Sequence, residues 1–393
     1  MKDLMKTFWN AFLRFIKKPA GLASVIGGVA VICLIVALAL NSCSPEVEET
    51  QAATQATTIP ETEAPTDPPT EPPTTEPIIY RHPLTGEPME TEKMTSRPFC
   101  VMLNNYKSSI PIHGNSQADI YYEAMTEGGW TRCMGVFSDI AAVEQLGAIR
   151  SARKYFVNVA LSYDAIYVHY GQSKGIAGAK EYIAETGINT MHGAGNAYSY
   201  FFESQDRKND GYNPGDECHF LVGQKAIDYA TKKGYTLERA EGYDYGLQFD
   251  DEKVIVGQKA DAVTIYFNMS GKPSSWTKYT KMNYDKETKL YMAYQYDKDN
   301  VDGNTGKTLG FRNVFVLKAP TQQLKGSSRV DIDLEGEGEG YFACNGQLVP
   351  IKWSRESERK PFVYTLEDGT PLTLGVGKSY IAIVPTGSTT EWQ

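Results

Sequence analysis

"VEQLGAIRSARKYFVNVALSYDAIYVHYG", residues 143–171, is the stretch on which the fold turns. Its first eight residues form a largely apolar run ending in Arg150, and the spacing predicts a strand there. The next thirteen put Phe156, Val159 and Ala160 on one helical face, with Ala152 a turn earlier. "DAIYVHYG" (164–171) then reads as a second strand. "KGIAGAKEYIAETG" (174–187) reads as a second helix, closed by Gly187. Strand, helix, strand, helix is the pattern of a parallel sheet with right-handed crossovers, in which sites form at the carboxyl ends of the strands.

Upstream, "PFCVMLNN" (98–105) is a short apolar strand ending at Asn104-Asn105. Residues 118–139 carry two apolar runs around Gly128-Gly129 and read as a hairpin, with a helix over 117–126 as the alternative. Three strand ends then share one edge: Asn104/Asn105, Arg150, and His169-Tyr170-Gly171. Ser151 is placed to cap the helix, and Arg153 falls in its first turn, where a cation opposes the helix dipole. Two arginines beside free amides at a helix start suit a phosphate or carboxylate. The candidate ligand residues are Asn105, Glu123, Arg132, Arg150, Ser151, Arg153 and His169. The competing reading pairs the arginines with the protein's own acids, Asp119, Glu123 or Glu127. Asp119 and His169 are the candidates for catalytic proton handling, and His169 reads equally as a structural histidine bonded beneath a loop.

Downstream, from about 245–260, "DAVTIYFNM", "LYMAYQYD", "NVFVLKA", "RVDIDL", "GYFACNG" and "KSYIAIVP" alternate or run apolar between Gly, Asn and Asp turns. An antiparallel sheet is expected, barrel- or sandwich-like. "GEGEG" (336–340) leads into a strand and an Asn-Gly turn, not a phosphate loop. The expected fold class is an α/β N-terminal domain with a mixed or parallel sheet (79–245), then a mostly antiparallel β-rich domain (246–393). The 25 tyrosines suit cross-strand packing, or alternatively a sugar-binding face.

The N-terminus speaks of location. Residues 1–18 hold Lys2, Lys6, Arg14, Lys17 and Lys18 against Asp3. Residues 19–40 carry no charge and are long enough to span a bilayer, which puts the rest of the chain outside. "LNSC" (40–43) places Leu three residues before Cys43, as in a bacterial lipobox, where cleavage leaves a lipid-bearing cysteine. An uncleaved anchor is the alternative. Residues 44–78 hold eight acids and eight prolines and no Lys or Arg, a composition that cannot bury enough apolar surface to order itself. Extended, such a tether reaches on the order of 100 Å. The expected location is the outer face of the cell membrane.

The net charge is −9, without a basic stripe, which argues against nucleic-acid partners. The six cysteines show no zinc spacing, and no metal or cofactor is expected. Nor is there a Gly-x-Ser-x-Gly elbow, a Walker loop or an HExxH helix.

"HPLTGEP" (82–88), "SQADIYYEAMTEGGWTR" (116–132), "GAIRSARKYF" (147–156) and "YDAIYVHYG" (163–171) resemble, in order, the YerB-type bacterial lipoprotein family. "RNVFVLKA" (312–319), "GEGEGYFACNGQLVPIKW" (336–353) and "VGKSYIAIVP" (376–385) continue the resemblance. It implies two parts behind a lipoprotein signal and no established activity. Tyr380 stands where that family usually has Trp, and Lys154 where it usually has Pro. A looser similarity is to LytR–CpsA–Psr phosphotransferases, with Asp119, Arg150 and Arg153 at the analogous positions. Two functions follow. One is a membrane-tethered envelope module binding an anionic wall component or a protein partner. The other is a phosphotransferase or hydrolase acting on a lipid-linked or glycan phosphate.

Overall fold

The computed structural model describes residues 80–89, 96–252, 255–269 and 271–393. The basic segment, the apolar run, Cys43 and the acidic tether lie outside the described residues. No helix among the described residues is long and apolar enough to cross a membrane.

The longer elements are numbered in chain order. In the N-terminal half they are β1 (Phe99–Leu103), β2 (Ile120–Met125), β3 (Thr131–Phe137), α1 (Lys154–Leu161), β4 (Ile166–His169), α2 (Ala179–Thr186), β5 (Thr190–His192) and α3 (Gly223–Lys233). In the C-terminal half they are β6 (Ala262–Tyr266), β7 (Tyr279–Asp285), β8 (Leu290–Gln295), β9 (Asn313–Ala319), β10 (Gly336–Cys344), β11 (Gln347–Arg355) and β12 (Ser379–Pro385).

One sheet of eleven strands runs through both halves, with β11, β10, β9, β12, β2, β3, β1, β4 and β5 side by side. The seam is parallel: Ser379 to Ile383 of β12 pair with Ile120 to Ala124 of β2. β12 also runs parallel to β9 on its other side. The N-terminal part of the sheet is mixed, because β3 is antiparallel to β1 and β2 while β4 is parallel to β1 and β5. Every residue of β1, β2 and β3 is buried, as expected for strands covered on both faces. β6, β7 and β8 lead a second, six-stranded sheet that is antiparallel throughout.

The two faces of β2 meet different layers. Tyr122 bonds Tyr163, just beyond α1, through their hydroxyls at 2.8 Å. On the opposite face Tyr121 stacks on Phe311, 6.1 Å away, a residue of the six-stranded sheet. Tyr122, Tyr155, Tyr167, Tyr291 and Tyr380 are fully buried, so these tyrosines are core. A buried ring contributes about 2–3 kcal/mol of transfer free energy.

Several sequence expectations need correction. The 118–139 hairpin forms as β2 and β3, and the alternative helix does not. The strand expected to end at Arg150 shrinks to Leu146–Gly147, and it pairs with His219–Leu221 outside the large sheet. The first parallel crossover is therefore missing, and β4, α2 and β5 form a parallel unit instead. Short strands near 146 and 220 are too brief to show periodicity, so their pairing is decided by packing. Among the described residues the C-terminal strands close neither a barrel nor a separate sandwich. β9 to β12 extend the N-terminal sheet, and β12 in particular inserts beside β2. The Asn345-Gly346 turn joins β10 to β11 as expected, with both residues at positive φ (54° and 70°).

Candidate functional site

The three predicted strand ends do meet. The amide of Asn104 donates to the Ala148 carbonyl (2.9 Å), that of Arg150 to Met102 (3.0 Å), and that of Tyr170 to Arg150 (3.0 Å). The loop between β2 and β3 lies at the same edge, and β3 begins there with Thr131 and Arg132. Arg132 thus meets Arg150 and Arg153, which come from one stretch of chain.

Arg132 and Arg150 are partly engaged, whereas Arg153 pairs with the protein's own Glu127, as the competing reading had it. Arg153 forks onto Glu127, with Nε to Oε1 and Nη2 to Oε2 both at 2.8 Å, and Nη1 donates to the Ala152 carbonyl at 2.8 Å. Arg132 donates through Nη1 to the Ser151 carbonyl at 3.0 Å. Arg150 donates to the Asp216 carbonyl at 2.9 Å and also to the Asp216 carboxylate, and its guanidinium lies 5.4 Å from the Tyr106 ring centre. Arg132 and Arg150 are 3% and 8% exposed, and the Nε of each is buried without a hydrogen-bond partner. The Tyr167 hydroxyl is also buried and unpartnered.

Three guanidiniums here face two carboxylates, and Asp216 is half exposed. Burial, with the like charges of Arg153 and Arg150, pulls the Arg132 guanidinium down to about 10, against some relief from Glu127. Burial works to raise Glu127, but the hydrogen bonds and charge of Arg153, with Arg132, hold its carboxyl below the usual range. Beside the arginines, Tyr106 and Trp130 lie 5.5 Å apart and, with Lys107 and Ser108, line a depression of about 500 Å³.

Ser151 does not cap α1. The helix starts at Lys154, its N-cap residue is Arg153, and it has no side-chain cap. Glu127, locked to Arg153, brings the negative charge to this helix start that the dipole favours. The Ser151 side chain instead sits where a Cβ on Gly171 would come within 2.6 Å of its hydroxyl.

Asn105 and Glu123 are buried elsewhere. Glu123 Oε1 accepts from Asn105 Nδ2 (2.9 Å) and Thr131 Oγ1 (2.7 Å), and lies 3.1 Å from Lys278 Nζ. Oε2 accepts from Thr280 Oγ1 (2.9 Å) and the Tyr380 hydroxyl (2.6 Å). Asn105 also receives Gln295 Nε2 at 2.9 Å and the Tyr296 hydroxyl at 2.6 Å. This is a polar knot through the core, with both Glu123 oxygens already bonded.

Neither catalytic candidate bonds an arginine through its side chain. His169 is fully buried, with Nδ1 2.7 Å from the Gly171 carbonyl and Nε2 2.9 Å from Thr190 Oγ1. The carbonyl fixes the proton on Nδ1, so Nε2 accepts from the threonine. Burial drops this imidazole to about 3, with a further push from the stacked His192. Asp119 precedes β2, where Oδ2 accepts the Ser138 amide at 2.7 Å, at the far end of the strand from Glu127. Among the described residues no group of three His, Cys, Asp or Glu is placed to hold a metal ion. Cys100, Cys133, Cys218 and Cys344 are buried and unbridged.

Sequence reasoning missed Tyr106, Trp130 and Asp216. Trp130 carried a signal, an aromatic just after Gly128-Gly129. Asp216 carried none, since it reaches Arg150 across 66 positions of chain.

With this geometry in view, two family models fit the chain. One, for the N-terminal domain of a protein of unknown function (DUF3048), matches residues 84–235, and its C-terminal counterpart matches 265–381. The chain belongs to the DUF3048 family. It is 30% identical over 303 residues to the "Putative lipoprotein YerB" of Bacillus subtilis (strain 168), covering 77% of this chain and 86% of that protein. The crystal structure of the YerB protein from Bacillus subtilis aligns with a TM-score of 0.67 at 27% identity, over 79% of this chain and 99% of that one. The arginine edge lies inside the N-terminal DUF3048 match. Lys278, Thr280 and Tyr380 lie inside the C-terminal one, so Glu123 ties the two family domains together.

Proposed function

We propose that this DUF3048 protein is a membrane-tethered, extracytoplasmic cell-envelope protein that binds an anionic ligand at the arginine edge of its α/β half. The observation that carries the binding is the pair of buried, unpartnered Nε atoms on Arg132 and Arg150, where three arginines face two carboxylates. A buried donor without a partner costs about 1–3 kcal/mol, and a charge-assisted bond to an oxyanion that displaces the half-exposed Asp216 carboxylate relieves that cost. The tether rests on the charge-free run at 19–40, on Leu40 and Cys43, and on the likeness to a protein named as a lipoprotein. Lipid on Cys43 would show as an acyl mass on the mature N-terminus that Cys43→Ala removes.

The binding reading is tested by calorimetric titration of the full chain in detergent with inorganic phosphate and with a sugar phosphate. Binding that weakens at least tenfold in Arg150→Ala supports it, since such bonds are worth about 1.5–3 kcal/mol. Equal titration curves for the two proteins, or heats absent from both, reject it.

A further inference from the structure

The anion edge is one side of a larger surface. Gly128 and Gly129 cross the tip of the β2–β3 loop at positive φ (67° and 77°). On one side of this tip Trp130 packs against Gly128, whose added Cβ would lie 3.4 Å from the indole, and with Tyr106 lines the first depression, the Tyr106 ring centre lying 5.4 Å from the Arg150 guanidinium. On the other side Gly128 and Gly129 form one wall of a second depression, about 360 Å³, with Phe267, Trp276 and Val330 on its other walls. Trp276 is 94% exposed and Trp130 is 45% exposed, whereas Trp353 is fully buried. Around Trp276 the lining carries hydroxyls and an amide, Ser274, Thr277, Gln323 and Ser328, together with Met269 and the Lys278 side chain.

Two exposed indoles flank a side-chain-free glycine ridge, with buried guanidiniums beyond the first and hydroxyls around the second. We propose that this surface binds an extended anionic glycan, one acidic group held by Arg132 and Arg150 and successive sugar rings resting on Trp130 and Trp276. A sugar ring offers an apolar C–H face to an indole and a rim of hydroxyls to Ser, Thr and Gln. Glycine at 128 and 129 lets a polymer pass over the ridge without a side chain in its path. A flat anionic membrane fits less well, because guanidiniums 3% and 8% exposed are recessed beneath the surface a bilayer would touch. This proposal rests on the anion reading above and extends it to a second subsite.

The test is calorimetric titration of the full chain in detergent. The probes are glucose 1-phosphate, galacturonic acid, a phosphodiester-linked hexasaccharide, a galacturonate hexamer, neutral maltohexaose and anionic vesicles of phosphatidylglycerol. The phosphate and carboxylate arms identify which acidic group the edge takes. Wild type should bind the preferred hexamer about tenfold more tightly than its monomer, one aromatic contact's worth. Trp276→Ala, a change at an exposed side chain, should remove that gain and leave the monomer unchanged. Equal affinity for monomer and hexamer, a gain that survives Trp276→Ala, or Trp276-dependent capture by vesicles in preference to the hexamer would overturn the extended site alone. No binding of any anionic sugar would overturn the anion reading with it.

Discussion

Two charged clusters sit on adjacent rungs of one hairpin, and they are built oppositely. Glu123 pairs across to Cys133, and on the next rung Ala124 pairs to Arg132. Successive residues point to opposite faces of a sheet, so Glu123 and Arg132 enter different layers. Both oxygens of Glu123 are taken, and Lys278 spends its donors on Glu123, the Tyr279 carbonyl (2.7 Å) and Thr280 Oγ1 (2.7 Å). Arg132 and Arg150 keep unpartnered Nε atoms. Burial alone does not mark a site, since both clusters are buried. What separates a strut from a receptor is whether the charged groups have spent their bonding capacity; in the knot it is the neutral Gln295 Oε1, not a charged atom, that is left without a partner.

That contrast is breakable by measurement. The largest effect belongs to the knot. Glu123→Ala strands the Lys278 ammonium in the core and should cost about 3–5 kcal/mol in denaturant unfolding, with Glu123→Gln/Lys278→Met recovering part of the loss. A change below about 1 kcal/mol in the single variant would mean that the knot does not hold the two halves together.

Next comes His169, a buried group with both nitrogens engaged. Its folded pKa, near 3, lies below the ordinary 6.5. The neutral form is therefore favoured by folding, and its stabilisation is complete above pH 6.5 and lost as pH falls from 6.5 towards 3. Wild type should lose up to about 1.4 kcal/mol per pH unit across that window from this group. His169→Gln should show a shallower fall, and parallel curves for the two proteins would remove His169 from the acid response.

Arg153→Ala should cost about 1–2 kcal/mol at neutral pH, because its fork on Glu127 is three-quarters buried. Glu127 lies below its ordinary 4.5, so the pair's contribution is present above pH 4.5 and disappears as pH drops below it. The difference between wild type and variant should shrink in acid, and a constant difference would point to lost packing rather than charge. The smallest stability effect is expected at Arg150→Ala, under about 1 kcal/mol, since Asp216 is half exposed. Such a folded variant that no longer takes an anion is the sharpest contrast with Glu123→Ala. Heavy destabilisation would place Arg150 with the struts.

How far the sequence could be read depended on range. "PFCVML", the 118–139 hairpin and the Gly187 stop were legible because hydrophobic period and turn chemistry act over a few residues. The meeting of Asn104, Arg150 and Tyr170 was legible too, although Arg150 arrives there beyond the short Leu146–Gly147 strand and not at the end of a sheet strand. The Ser151 cap was misread: its position suited capping, but α1 begins three residues later. Glu123 was nominated as a ligand residue because nothing local reveals that Lys278, Thr280 and Tyr380 converge on it from 155 to 257 positions away.

By itself the sequence determined the charge-free run before Cys43, the acidic proline-rich segment after it, most of the strands, and three arginines bound for one region. Those properties are local, set by side-chain chemistry and spacing. Only the tertiary structure decided that β12 would insert beside β2 and merge both halves into one sheet. It also decided which charges would find partners. Pairing is a property of distance in space, and each charge on β2 and β3 takes its role from whichever distant segment folds against its face.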